Sequence, residues 1–447
     1  MSVHSRSKRY ADCAEKMTID DSRGFAIAMV KRASIGLLLV ILWAVGLVGG
    51  TLFGLWRRPI APSDDPSAFM RAALPMISEG NRGNTALVLI EGGAISAEYY
   101  STNSDSIDRN TVFAISSLSK WITAHAVMKL VEDGRLDLDR PVESYLTRWR
   151  FPAGSFSSRD VTARRLLSHT AGLTDGLGFG DYRTDETLPT LEEALAAPRA
   201  SDGRATAPIA VGIEPGTEFR YSGGGYLVLE LLVEELSGEL FQEYVSREIL
   251  HPLGMERSGY ADLSATTNSA KSYDAEGKPA PVYRYASRAA TGFTTSASDL
   301  ARLVLTQLQP GEDGPLTAST FESMRKAEAQ SMGVDLWGLG TVLYAPTAAG
   351  SVVFGHDGVN EPAISATVRI NPETKDAIIV LATGSRALAS QLGSEWVFWQ
   401  TGLPDVLTLP AEIRRVLPVL GVGAFGIVLV AFIPAWRNRR RRKQGAA

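Results

Sequence analysis

Apolar residues are spread unevenly along the chain. Ile35 to Trp56 (IGLLLVILWAVGLVGGTLFGLW) and Val416 to Trp436 (VLPVLGVGAFGIVLVAFIPAW) carry no charge. Each is about the ~20 residues that a helix needs to cross a hydrocarbon core. Between them the pattern changes to that of a folded domain. Thr85–Tyr100 (TALVLIEGGAISAEYY) predicts two strands turning at Gly92 and Gly93. A helix is predicted from near Ser116 to Asp133-Gly134, and residues from roughly 140 to 310 read mainly as helices and loops, with Gly224–Gly238 the clearest helix. Strands return at Trp337–Tyr344, Ser351–Gly355, Ala363–Asn371 and Ala377–Thr383, and a last helix covers about Leu388–Gln400. The order predicts an α+β architecture: an antiparallel β-sheet flanked by helices and built from both ends of the domain, a mostly helical lobe, and two transmembrane helices.

The expected partition is a tail over residues 1–34, a transmembrane helix over 35–56, a linker over 57–79, the folded domain over 80–404, a linker over 405–415, a second transmembrane helix over 416–436 and a basic tail over 437–447. A cleavable signal peptide is the plainer reading of the first segment. Its long polar lead, an apolar run beyond the usual ~7–15 residues and the lack of a clear A-x-A site favour an anchor. Arg6, Lys8, Arg9, Lys16, Arg23, Lys31 and Arg32 precede the first span, and Arg437, Arg439, Arg440, Arg441, Arg442 and Lys443 follow the second. Both termini are therefore expected in the cytoplasm, with the domain on the outer face, against the weaker pull of Arg57, Arg58, Arg414 and Arg415.

Charge narrows the partners. Residues 59–410 hold 28 of the 45 Lys and Arg and 44 of the 49 Asp and Glu, a net charge of −16. Such a surface argues against nucleic acid as a ligand. The basic C-terminal run beside an apolar span is expected to face lipid. The single cysteine, Cys13, falls in the predicted inner tail, so the outer domain has no disulfide framework and no cysteine-based metal site. Gly46, Gly50 and Gly54 give two overlapping G-x-x-x-G matches, a weak signal for helix pairing that does not establish a homo-oligomer.

The stretch FAISSLSKWITAHAVMKLVEDG (113–134) places Ser117 three residues before Lys120. On a helix these positions lie one turn apart on the same face. A serine hydroxyl becomes a useful nucleophile when a neighbouring base takes its proton, and burial can make lysine that base. The plainer reading is a helix-capping serine with a surface lysine. The spacing recurs at Ser5–Lys8, without apolar periodicity, and at Ser323–Lys326, read as mid-helix among charges. Only Ser117 follows an apolar segment and opens an amphipathic helix, with Trp121 and Ile122 behind the lysine.

Two later stretches can join it. Tyr221 stands in PGTEFRYSGGGYLVLELL (215–232), a glycine-rich loop leading into a helix, where backbone can approach a ligand closely. VVFGHDGVNEP (352–362) is a strand carrying His356, Asp357 and Gly358, the glycine letting a substrate lie along the strand edge. Together the three segments resemble the penicillin-recognising serine hydrolases: class C β-lactamases, D-Ala-D-Ala carboxypeptidases, D-aminopeptidases and related esterases. S-x-x-K is a signature of that group. In its class C-like branch S-x-x-K, Y-x-N and K-T-G or H-x-G occur in that order. Here they are Ser117–Lys120, Tyr221-Ser222-Gly223 and His356-Asp357-Gly358. LLSHTAGL (166–173), HPLGMERSGY (251–260), TGFTTSASDLARL (291–303) and LWGLG (336–340) extend the resemblance across about residues 70–400.

The resemblance implies that Ser117 attacks a carbonyl, Lys120 and Tyr221 move its proton, and the backbone N–H groups of Ser117 and Val359 form an oxyanion hole. It implies that His356 holds the substrate's carboxylate side and tunes Tyr221, and that Ser222, Gly223, Asp357 and Gly358 line the substrate. Two departures bear on the substrate: Gly223 stands where the family usually has asparagine, and His356 replaces the lysine of class C β-lactamases. His125, on the opening helix, is expected to pack against the sheet, while His169 and His251 read as structural loop residues. No H-E-x-x-H, G-x-S-x-G or P-loop pattern is present, so neither a metal nor another cofactor is expected. The expected activity is a membrane-anchored serine hydrolase acting on amide or ester bonds of a small molecule or peptide, D-amino-acid peptides included. The alternatives are a small-ester esterase and a catalytically silent peptidoglycan- or protein-binding domain.

Overall fold

The computed structural model describes residues 4–102, 106–175, 181–199, 207–311, 314–331 and 333–444, with side chains from residue 27 to 433 within those ranges, Asp181 apart. The side chains of Cys13, of Ser5 and Lys8, and of the basic residues at 6–23 and 437–443 lie outside that set. The chain divides into two units, Pro59–Leu407 and a second made of Met1–Arg58 with Thr408–Ala447.

The second unit consists of helix α1 (His4–Leu52) and the C-terminal helix Leu409–Gln444. Within them Ile27–Leu52 and Leu409–Ile433 are long and apolar enough to cross a membrane. The first apolar helix stops at Leu52, short of the expected Trp56, because Gly54 turns the chain at φ +67° and the Trp56 indole N–H donates to the Leu47 carbonyl at 3.1 Å. Gly50 and Gly54 thus serve this turn. The two helices meet instead through Gly36, beside Ala431, and Gly423, beneath the Trp43 ring.

The larger unit begins with α2 (Pro66–Gly80), capped by Asp65, whose carboxylate accepts from the Ala68 N–H at 2.8 Å. Then come β1 (Thr85–Glu91), β2 (Ala94–Ser101), β3 (Val112–Ala114), a 3-10 turn (Ser116–Leu118) and α3 (Ser119–Glu132). The helical lobe follows: α4 (Ala163–Leu167), β4 (Asp181–Arg183), α5 (Leu191–Ala196), α6 (Gly224–Ser237), α7 (Phe241–Val245), β5 (Tyr283–Tyr285), α8 (Arg288–Thr291), β6 (Thr294–Ser296), α9 (Ala297–Leu308) and α10 (Ala318–Met324). The chain returns through β7 (Ala329–Ser331), β8 (Val334–Trp337), β9 (Val342–Pro346), β10 (Val352–Asn360), β11 (Ile364–Asn371), β12 (Asp376–Thr383) and α11 (Leu388–Thr401).

Eight strands form one antiparallel sheet in the order β2-β1-β12-β11-β10-β9-β8-β7, as expected of an α+β fold assembled from both ends. Its two faces are covered by different elements. On β12, Ala377, Ile379 and Leu381 join the core under the helical lobe, while Ile378, Val380 and Ala382 join the core under α2 and α11. That alternation is the period-two geometry of a strand, and burial on both faces explains why β12 is apolar from Ala377 to Ala382. Each fully buried Ile, Val or Leu contributes roughly 1.5–3 kcal/mol.

Two sequence expectations change. Trp337–Tyr344 is not one strand: β8 ends at Trp337, the chain turns, and β9 begins at Val342. Gly340 makes that turn at φ +68°, and a Cβ there would strike Ala124, so the glycine lets the turn press onto α3. Ser323–Lys326 is not mid-helix, because α10 ends at Met324.

Candidate active site

Ser117 sits in the 3-10 turn between β3 and α3. Ser116, just before it, has φ +49°, a conformation that costs a non-glycine residue on the order of 1 kcal/mol or more. Contacts on three sides hold it there. The Ser116 hydroxyl donates to the Val359 carbonyl at 3.0 Å, and Ser119 Oγ donates to the Ser116 carbonyl at 2.6 Å while accepting the Phe293 N–H at 3.0 Å. Ser117 itself is half-buried.

Lys120, one turn into α3, is 2 % exposed. Its Nζ donates to Ser117 Oγ at 3.3 Å and to the Ala290 carbonyl of α8 at 3.0 Å. It also lies 4.9 Å from the centre of the Tyr221 ring and 5.5 Å from that of Tyr226. No carboxylate lies within ion-pair distance of it among the described residues. Serine, lysine and tyrosine, 104 positions apart in sequence at the extremes, thus meet at one point.

His356 enters from β10. That strand pairs with β9 from Val352 to Gly355 and with β11 from Phe354 to Asn360, so from His356 onward it pairs with β11 alone, and its free side meets the Ser117 turn. Gly358 permits the approach, since a Cβ there would run into the Ile115 carbonyl. The need for glycine therefore comes from strand-to-turn packing, a different cause from the substrate-lined edge expected of it. In an antiparallel strand the N–H and C=O of one residue point the same way. The Val359 carbonyl points at Ser116, so its N–H also faces the turn, away from β11.

His356 is buried, and its Nδ1 lies 2.6 Å from the Asp357 carbonyl, which fixes the proton on Nδ1 and leaves Nε2 as an acceptor. Burial, reinforced by the Lys120 ammonium, pushes its pKa down to about 4. A neutral imidazole with a bare Nε2 accepts a hydrogen bond from a phenol or ammonium. Among the described residues its Nε2 is buried without a hydrogen-bond partner, and the ring stands edge-on to Trp337 with centres 5.3 Å apart.

Ser222 and Asp357 also differ from expectation. Ser222 Oγ donates to Asp175 Oδ1 at 2.6 Å and accepts the Gly225 N–H at 2.8 Å, while Asp175 Oδ2 accepts the Gly224 N–H at 2.7 Å. Both side chains cap α6, whose first N–H groups lack partners within the helix. Asp357 points to the other face of the sheet, one residue on from His356. Its carboxylate takes bonds from Arg369, Thr367 (2.5 Å), Ser390 (3.0 Å) and Tyr344 (3.2 Å). Although burial pushes that carboxyl up, the Arg369 guanidinium holds it below the usual range. Arg369, buried against the Tyr344 ring at 3.7 Å, bonds Asp405 at 2.9 Å as well. Neither hydroxyl nor carboxylate is offered to a substrate. Gly223, the residue just before α6, has φ −77° and ψ −35°, a conformation open to any L-residue.

The sequence missed His169 as a site residue. It is buried with its ring 4.3 Å from that of Tyr221, and burial, Lys120 and His356 together hold its pKa well below the usual value. A histidine between a serine and a threonine in a loop gave no sign of that contact. His125 packs between α3, α9 and α10 instead of on the sheet, bonded to the Trp121 carbonyl at 2.6 Å and Gln307 at 3.1 Å. Among the described residues no group of three or more His, Cys, Asp or Glu is arranged to hold a metal ion.

Residues 69–393 match the Beta-lactamase family, most of the folded unit. The chain belongs to that family. Penicillin-binding protein 4 of Amycolatopsis lactamdurans is 28 % identical over 331 residues, 69 % of this chain and 83 % of that protein. Esterase EstB of Burkholderia gladioli is 30 % identical over 193 residues, 39 % of this chain and 44 % of the esterase, so the match spans less than half of that relative. Among solved structures, the octameric penicillin-binding protein homologue from Pyrococcus abyssi aligns with a TM-score of 0.62 at 26 % identity, covering 76 % of this chain and 78 % of that one. As a Beta-lactamase-family member the protein is a serine hydrolase with a β-lactamase/transpeptidase-like fold.

Proposed function

We propose that the protein hydrolyses amide or ester bonds through an acyl-enzyme on Ser117, in a domain held at the outer membrane face by two spanning helices. The observation that carries this reading is the buried Lys120 Nζ, 3.3 Å from Ser117 Oγ, against the Tyr221 ring. Ser117 Oγ bonds to the carbonyl carbon as its proton passes to the Lys120–Tyr221 pair. The N–H groups of Ser117 and Val359 stabilise the oxyanion, and the same pair protonates the leaving amine or alcohol as its bond to carbon breaks. Water then attacks the acyl group and gives its proton to the pair, which returns it to Ser117 Oγ as the Oγ–carbon bond breaks and the acid leaves. His356 Nε2 accepts from the pair and keeps the relay aligned.

D-amino-acid peptides are the first substrate class, by likeness to the penicillin-binding relatives. A small-ester substrate is a second reading, favoured by Gly223: without an amide side chain there, one contact to an acyl amide is missing. The test uses the full chain in detergent with a fluorescent penicillin and a fluorophosphonate. Labelling by either that disappears in Ser117→Ala supports the acyl-enzyme, and fluorophosphonate alone selects the esterase. A folded protein that takes neither label is a silent family member, and the proposal fails. A reporter fused after Ala447 should read cytoplasm; an outside signal overturns the two-span topology.

A further inference from the structure

Tyr221 lies in a loop, with no helix or strand to hold it. His169 supplies what the secondary structure does not. The Arg220 N–H donates to the His169 carbonyl at 2.7 Å, and the Ser222 N–H donates to His169 Nδ1 at 3.1 Å. One residue thus takes the backbone donors on both sides of the tyrosine, while its ring packs on the phenol at 4.3 Å with 33° between the planes. Trp337, Tyr226 and Phe219 enclose the same imidazole, with ring centres at 4.8, 5.3 and 5.8 Å.

The backbone of His169 is itself unusual, at φ +58° in the left-handed region. Such a conformation is strained for a non-glycine residue and persists where the surroundings over-determine it. Here the left-handed turn brings a main-chain acceptor and a side-chain acceptor of one residue onto one loop. The bond from the Ser222 N–H also fixes the tautomer: Nδ1 carries the lone pair and Nε2 the proton. A merely space-filling histidine needs neither the turn nor the tautomer.

We propose that His169 is the positioning residue for Tyr221, gripping its flanking amides and its ring so that the phenol stays in line with Lys120 and Ser117. The proposal rests on Tyr221 carrying a proton in the acyl transfer. Asparagine is the replacement that separates clamp from filler: its Oδ1 can stand where Nδ1 stands, and it tolerates a positive φ. Phenylalanine keeps a ring but leaves the Ser222 N–H buried and unpaired.

The experiment compares His169→Asn, His169→Phe and His169→Ala in the full chain in detergent, by the second-order rate of Ser117 labelling with a fluorophosphonate. His169→Phe and His169→Ala should slow labelling about 10²-fold, the loss that a misplacement near 1 Å brings, with His169→Asn recovering most of the rate. The second readout is the ¹⁹F resonance of 3-fluorotyrosine placed at position 221. It should stay single and near its wild-type shift in His169→Asn, and broaden or move in His169→Phe and His169→Ala. His169→Asn labelling no faster than His169→Phe overturns the proposal, as does an unchanged resonance in both phenylalanine and alanine variants. If His169→Ala does not fold, the asparagine–phenylalanine pair decides alone. If the wild type takes no label, the hydrolase reading fails, and the ¹⁹F comparison still tests whether His169 holds Tyr221.

Discussion

Ser117 and Lys120 stand at the head of α3, whose 14 residues are mostly buried, whereas Ser323 and Lys326 stand at the tail of α10, where the helix gives out. The spacing is the same and the surroundings are opposite. Side chains on a helix lean toward its N-terminus, so a lysine near the head reaches back to the groups that precede the helix. At the head, free N–H groups favour the negative charge that an attacked carbonyl develops. At the tail, Ser323 Oγ donates to the Thr320 carbonyl at 2.8 Å, and Lys326 is exposed on an open cavity of about 950 Å³ shared with Glu322 and Asp335. A two-residue pattern gains chemical meaning from the end of the helix it occupies and from what closes over it.

The sharpest way to break the contrast is to remove each lysine. Lys120→Ala should slow acylation of Ser117 by about 10²–10⁴-fold, the contribution of a positioned proton carrier, with only a few degrees' change in the thermal midpoint. Lys326→Ala should leave labelling unchanged; an equal loss in both would erase the distinction.

The next test reaches the support beneath the first pair. Glu230 of α6 is fully buried, accepts the Ala289 N–H at 3.0 Å, and so holds the short helix whose next carbonyl receives Lys120. Burial raises its pKa to about 7, against the Ala289 bond and nearby Arg288, with Glu234 and Tyr260 also facing it. The protonated form is thus favoured in the folded state. Its contribution to stability is complete below the unfolded value near 4.5 and is lost as pH rises through about 7. Glu230→Gln should match wild type at pH 4 and exceed it at pH 9 by on the order of 3 kcal/mol, read from melts across that range. Equal stabilities at pH 9 would refute the linkage.

A smaller effect is expected at the strand that closes the site. Gly358→Ala should cost about 1–3 kcal/mol by overpacking against Ile115 and slow labelling as β10 backs away from Ser117. Calorimetry and probe kinetics on the same sample would check both halves. Smallest is Gly223→Asn, at a buried position whose φ and ψ suit any L-residue: a stability loss of about 1 kcal/mol, with faster penicillin labelling relative to fluorophosphonate. An unchanged ratio would remove Gly223 as the determinant of substrate class.

The strands, the opening helix and the three site segments were legible because each rests on local pattern or order along the chain. Side-chain direction was not. His356 and Asp357 are neighbours in sequence, yet one joins the site and the other is locked to Arg369 on the far face, since strand positions alternate. Ser222 looked available beside Tyr221, but Asp175, 47 residues earlier, claims its hydroxyl. His169 acquires its part only when the fold brings residues 169 and 221 together, and no spacing signals that. The break at Trp337–Val342 follows from α3 pressing on Gly340, which is also a long-range fact.

The central sheet imposes an order on biosynthesis. β1 pairs with β12, Thr85 opposite Ala382, and Trp399 reaches back to the Pro62 carbonyl at 2.7 Å. On a ribosome adding ~5–20 residues per second, the first hairpin waits roughly 15–60 s for its partner strand. Throughout that interval β1 offers an open hydrogen-bonding edge, the kind that pairs with wrong chains. The nascent chain therefore spends most of its synthesis as a client for protection, and the active site can assemble only after nearly the whole catalytic unit has emerged.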